Sequence, residues 1–220
     1  MRLRNKNWTK DYLLNHPQHL IPVSNDQLKV GDFFANHNQF YALEIGCGKG
    51  DFLIAQSLIH PDWNLVGLEK ESTVVGVALK KALITKHEQL DNLKFMNGFA
   101  EKLQQVFLPN SFDCLFLNFS DPWPKAKHYK KRLTYQTFLD DYFKILKPSG
   151  KVELKTDNDQ LYQFSLEQIT AHPQWRIVYQ TTDLYADVNQ LKTNVPTEYE
   201  KKFHAQGKTI KKIIFQPQSL

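Results

Sequence analysis

The chain has 220 residues, 41% of them hydrophobic, a formal net charge of +5 and a pI of about 9.0. That is enough apolar material to fill the core of one sizeable domain, and it excludes a collagen-like, coiled-coil or disordered protein. The modest basicity suits an anionic partner without requiring one.

Cys47 and Cys114 stand 67 residues apart with no CxxC, so reduced thiols in the cytoplasm are expected rather than a disulfide framework. The opening "MRLRNKNWTKDYLLNHP" has no continuous apolar stretch, and no apolar run reaches 18 residues. No membrane attachment is expected. Arg2, Arg4, Lys6 and Lys10 give residues 1 to about 15 a basic character, that of an arm that contacts an anionic partner or of a plain charged tail.

From residue 40 onward, strand-like and helix-like runs alternate. "FYALEI" (40–45) is apolar and ends at a glycine cluster, and "DFLIAQSLIH" (51–60) carries helical spacing until Pro61. "NLVGLE" (64–69) predicts a strand, and "STVVGVALKKALITKH" (72–87) a helix with Ser72 as its N-cap. "LKFMNG" (93–98) and "AEKLQQVF" (100–107) predict a short strand and a short helix, followed by a buried strand at "FDCLFLNF" (112–119). "TYQTFLDDYFKIL" (134–146) has apolar 3–4 spacing and stops at the turn signal Pro148-Ser149-Gly150. A strand at 151–156, a helix at 159–171, and strands at 175–181 and 209–215 complete the chain, with a short helix at 197–205 inside the irregular 183–208.

Such alternation predicts an α/β fold: one domain over 1–220, doubly wound, with a mostly parallel sheet and helices on both faces. No long helix separates the last two strands, so the final one is expected to run antiparallel.

"LEIGCGKGDF" puts Gly46, Gly48 and Gly50 between the first strand and the first helix, where glycines let a ligand approach backbone amides and a helix N-terminus. The spacing is GxGxG, with Asp51 where the dinucleotide fingerprint wants a third glycine or alanine. Glu69 ends the second strand, where a carboxylate can accept both hydroxyls of a ribose. Together these cues favour an adenosyl ligand. The pattern E-x-G-x-G-x-G, with an acid closing the second strand, resembles the class I S-adenosylmethionine-dependent methyltransferases, whose sheet is Rossmann-like. The resemblance implies that Glu44 faces the methionine end of S-adenosylmethionine, that Glu69 holds the ribose, and that Asn97 or a neighbour in "NGFAE" flanks adenine. Relatives often carry an acid where Phe99 stands.

The segment "NFSDPWPKAKHYKKRL" (118–133) begins at the end of the fourth strand. Ligands of open α/β sheets sit beyond the carboxyl ends of the strands, so Asp121 is expected to face the transferable methyl. With "LKTDN" (154–158) and "TEYEKKFHAQG" (197–207), this segment resembles the bacterial tRNA (guanine-N7-)-methyltransferases, from about residue 40 to 215. What the resemblance implies is methylation of a guanine in the tRNA variable loop. Asp121 would then be the catalytic carboxylate and also lie against the cofactor. Lys125, Asp157, Thr197, Glu198, Tyr199 and Glu200 would meet the substrate base. Lys127, His128, Tyr129, Lys130, Lys131 and Arg132 would grip the RNA backbone, consistent with phosphate neutralisation dominating RNA affinity. Trp123 could stack on a base or plug the loop. The eight histidines show no metal-ligand spacing, so no metal is expected. Two rival readings stand beside this one: an amino-methyltransferase acting on DNA or protein, and a non-catalytic RNA-binding module. A monomer and a homodimer are both compatible with the sequence.

Overall fold

The computed structural model describes residues 6–24, 26–87 and 89–218. Seven strands form one sheet: β1 (Phe40–Ile45), β2 (Trp63–Glu69), β3 (Leu93–Asn97), β4 (Phe112–Asn118), β5 (Leu146–Thr156), β6 (Trp175–Thr181) and β7 (Lys211–Pro217). Their order is β3-β2-β1-β4-β5-β7-β6. The first five pair in parallel, whereas β7 runs antiparallel to both β5 and β6. The doubly wound sheet and its antiparallel final strand are as the alternation implies.

The α-helices are α1 (Trp8–Leu14), α2 (Asp51–Ile59), α3 (Ser72–Thr85), α4 (Leu103–Val106), α5 (Gln136–Ile145), α6 (Asp159–Ala171), α7 (Val188–Leu191) and α8 (Glu198–Ala205). Central strands feed apolar residues to both faces because neighbouring side chains alternate across a strand. Ala42, Leu65, Cys114 and Phe116 join a core with α2 and α3. Leu43, Val66, Leu115 and Leu117 join the opposite core with α5 and α6. That two-sided burial is why "FDCLFLNF" reads as one unbroken apolar run.

Local departures have local causes. Glu71, not Ser72, occupies the N-cap of α3, because the Glu69 carboxylate accepts the Glu71 N–H at 3.0 Å and turns the chain one residue early. The helix expected over 100–107 shrinks to α4, since Lys102 sits at φ +62° with its N–H on Asp141 Oδ2 at 2.9 Å. Pro148-Ser149-Gly150 does not separate α5 from β5. It lies inside β5 as a register shift against β4. Of the basic N-terminal arm, residues 8–14 form α1, and Arg2 and Arg4 lie outside the described residues. Thr9 seats on Gly76 of α3, where an added Cβ would meet it at 2.6 Å, and Lys80 lies over the Trp8 ring.

Candidate active site at the carboxyl ends of the strands

The parallel strands β1, β2 and β4 end on one side of the sheet, and their loops enclose a cavity of about 540 Å³. Gly46, Gly48 and Gly50 all take positive φ (+77°, +56° and +77°), a conformation that L side chains rarely adopt. A Cβ on Gly46 or Gly48 would meet nothing within 4 Å, so open space lies over the loop. Glu69 closes the cradle from β2, its Oε2 accepting the Gly48 N–H at 3.2 Å.

Glu44 is buried at the floor. Its Oε1 accepts from Asn118 Nδ2 at 2.9 Å, while Oε2 has no partner. Burial pushes its carboxyl up to about 8, against the opposing pull of the Asn118 bond and the Lys155 charge. Asn118 Oδ1 and Ser120 Oγ are also buried without partners on residues that line the cavity. Unpaired polar atoms at such a floor call for an occupant that carries hydrogen-bond donors. S-adenosylmethionine, with its ammonium and sulfonium, fits that demand.

The opposite wall is the loop after β4. Phe119 (φ +51°) and Trp123 (φ +42°) both adopt left-handed backbone, and exposed Asp121 stands between them at the cavity rim. Two strained residues in five mark a loop held in place by its surroundings. Arg132 is one such restraint. Its Nε donates to the Pro122 carbonyl at 3.0 Å and its Nη2 to the Trp123 carbonyl at 3.2 Å, with the guanidinium over Phe164. Trp123 lines the cavity partly buried, with Lys131 Nζ 4.7 Å from its ring centroid and His128 at its edge. The first turn of α8 supplies a third wall through Thr197, Glu198 and Tyr199, and Lys49 of the glycine loop reaches Glu198 at 3.5 Å.

The remaining expected residues divide. Lys127, Tyr129, Lys130 and Lys131 are exposed on the 3-10 turn Ala126–Lys131, His128 is partly covered there, and Lys125 is exposed at its cap. Arg132 corrects the expectation of a phosphate grip: it is 9% exposed and committed to backbone carbonyls. Glu200 corrects the expectation of a substrate contact: it is 0% exposed and pairs with Lys155 at 2.6 Å. Asn97 does not line the cavity. Its amide donates to the carbonyls of Glu69 and Lys70, leaving Gly98, Phe99 and Ala100 to border the cavity there. Asp157 sits beyond the cavity wall, paired with Lys208 at 2.6 Å. Asn118 was not foreseen. A polar residue ending an otherwise apolar strand, beside the Asp121 loop, was the signal for it.

Among the described residues, no group of three or more His, Cys, Asp or Glu side chains could hold a metal ion. No helix among them is long and apolar enough to cross a membrane.

The chain is similar to known proteins in fold and in sequence. In fold, the chain is similar to the 16S rRNA methyltransferase KamB (TM-score 0.58, 15% identity, 83% of this chain and 89% of that one). It is also similar to a 16S rRNA (adenine(1408)-N(1))-methyltransferase from Catenulisporales acidiphilia with cosubstrate SAM (TM-score 0.56, 12% identity, 82% and 86%). A family model described as "Putative methyltransferase" matches residues 38–213. In sequence, the chain is 53% identical over 220 residues to the tRNA (guanine-N(7)-)-methyltransferase of Mesoplasma florum, covering 98% of this chain and 99% of that protein. Identity is 50% with the protein of the same name from Mycoplasma mycoides (98% and 99% covered) and 40% with that from Lactobacillus gasseri (96% of each). With such coverage at both ends of the alignment, the chain belongs to the bacterial tRNA (guanine-N(7)-)-methyltransferase family.

Proposed function

We propose that this protein methylates N7 of a guanine in the variable loop of tRNA, in the cytoplasm, with S-adenosylmethionine as donor. One observation carries the reading. A single cavity joins the unpaired Glu44 carboxylate and the glycine loop to Asp121 and the α8 turn, beside the exposed lysines of 125–131.

When bound, S-adenosylmethionine supplies an electrophilic methyl group on a sulfonium. Glu44 would complement the positive end of that molecule, Glu69 would accept from its ribose, and Gly98–Ala100 would border its base. Guanine N7 has an in-plane lone pair and no proton, so these residues must orient the base rather than deprotonate it. Orientation of a well-held pair is worth up to roughly 7–11 kcal/mol. Methylation leaves the purine cationic. A carboxylate at Asp121 offsets that developing charge by on the order of 4 kcal/mol at about 4 Å in a partly screened site. Thr197, Glu198 and Tyr199 would frame the base opposite Asp121, with Trp123 as a stacking face. Lys125, Lys127, Lys130 and Lys131 would neutralise phosphates flanking a splayed-out nucleotide. Asp157 would take the guanine edge once Lys208 turns away from it.

The test is methyl transfer from labelled S-adenosylmethionine to tRNA, followed by nucleoside and position analysis. N7-methylguanosine confined to the variable loop is the expected product. Label on an exocyclic amine would establish an amino-methyltransferase instead, and tRNA binding without label a binding module.

A further inference from the structure

Both walls of the substrate side hang from Lys155, a buried residue near the carboxyl end of β5. Its carbonyl accepts the N–H of Phe119, where the Asp121 loop begins, at 2.8 Å. Its ammonium donates to Glu200 Oε2 (2.6 Å), Val195 O (2.9 Å) and Asn194 Oδ1 (3.0 Å), which uses all three of its donors. Glu200 Oε1 accepts from Asn194 Nδ2 (2.6 Å) and the Tyr185 hydroxyl (3.3 Å). Glu200 and Thr197 also close a reciprocal capping box at the start of α8.

Every polar group of this buried pair is therefore spent inside the protein. Replacing such a pair with neutral residues of similar volume is often neutral or stabilising, so gross stability is a weak reason for it. What the network does supply is a fixed seat for an eight-residue helix, too short to hold itself, whose first turn faces the cavity.

We propose that Lys155 is a positioning residue for methyl transfer. Through Glu200 it sets the substrate-facing turn of α8 at a fixed separation from the Asp121 loop that its own carbonyl anchors. Glu200 accordingly acts from behind the site, without touching the base. The proposal rests on the reading that α8 meets the tRNA.

The double variant Lys155→Met/Glu200→Gln removes both charges together, so neither is left buried without its partner. It should melt cooperatively and bind S-adenosylmethionine within about twofold of wild type, while kcat/KM for tRNA falls at least about 30-fold, mainly through KM. Wild-type tRNA kinetics in the double variant would overturn the proposal, as would a parallel loss of cofactor affinity, the mark of a merely structural pair.

Tyr199→Ala, outside the network, separates the two levels. It should raise the KM for tRNA by itself. Wild-type kinetics in both variants would bring down the reading of α8, whereas a defect in Tyr199→Ala alone would bring down only the role of Lys155. Should the double variant fail to fold, Tyr185→Phe decides, since it removes one hydroxyl from Glu200. A severalfold rise in KM with unchanged cofactor affinity supports the proposal, and an unchanged KM overturns it.

Discussion

Asp121 and Glu44 are both carboxylates lining one cavity, in opposite surroundings. Asp121 is exposed at the rim, where its charge can meet a purine turning cationic. Asp121→Asn keeps the shape and removes the charge, so the single-turnover rate should fall by about two to three orders of magnitude, or about 3–4 kcal/mol, with cofactor affinity changing much less. Because N7 has no proton to lose, the wild-type rate at saturating cofactor should stay flat from about pH 6.5 to 8.5. A steep, chemistry-limited rise over that range would indicate a general base. Glu44 behaves differently. With its carboxyl raised to about 8, the free folded protein holds a proton that the unfolded chain loses above about 4.5. Stability of the free protein should therefore decline as pH climbs through that window and level off above about 8. A cationic ligand favours the ionised form, so the affinity for S-adenosylmethionine should rise by up to about tenfold per pH unit as pH climbs towards 8. Calorimetry at pH 7 in buffers of different ionisation enthalpy should detect up to one proton released per cofactor, and none in Glu44→Gln. That Glu44 and Glu69 line the cavity was legible because they flank a local glycine pattern. The burial of Glu200 was not, because its partner Lys155 lies 45 residues earlier in the chain.

At the scale of elements, the turn Ala126–Lys131 and the residue that follows it have separate jobs. Alanine at Lys125, Lys127, Lys130 and Lys131 should weaken tRNA binding and flatten its salt dependence by roughly 0.7–0.9 log–log units per lost phosphate contact. Filter binding across a salt series would measure this, and an unaltered slope would reduce the turn to a solvated face. Arg132→Ala should leave the slope alone. It frees two carbonyls of the Asp121 loop and should lower thermal stability by about 1–3 kcal/mol, read from a melt. The sequence shows five cations between 125 and 132 without showing which one turns inward, because that depends on Phe164 in a distant helix. Helix α8 was more legible. Thr197 and Glu200 write their capping box in four adjacent letters. The cap of α3 was misread for the converse reason: the group that turns the chain there, Glu69, belongs to the preceding strand.

For the whole molecule, alternation of strand and helix revealed the doubly wound sheet, but strand order leaves no local trace. Nothing in "TIKKIIF" says that its strand slides between β5 and β6, pairing with both. Ile213 and Phe215 are fully buried there, so the sheet depends on a strand made last. A chain truncated after Gly207 should lose its cooperative thermal transition, and retention of a sharp melt would show that β5 and β6 need no strand between them. The same order of synthesis has a consequence for timing. Residues 40–131, glycine loop and lysine turn included, emerge while 194–200, which seat on Lys155, are still untranslated. A chain made through Lys131 but not yet through 194–200 would thus offer lysines without a substrate wall, and it would be a poor competitor for the tRNAs its own ribosome is consuming.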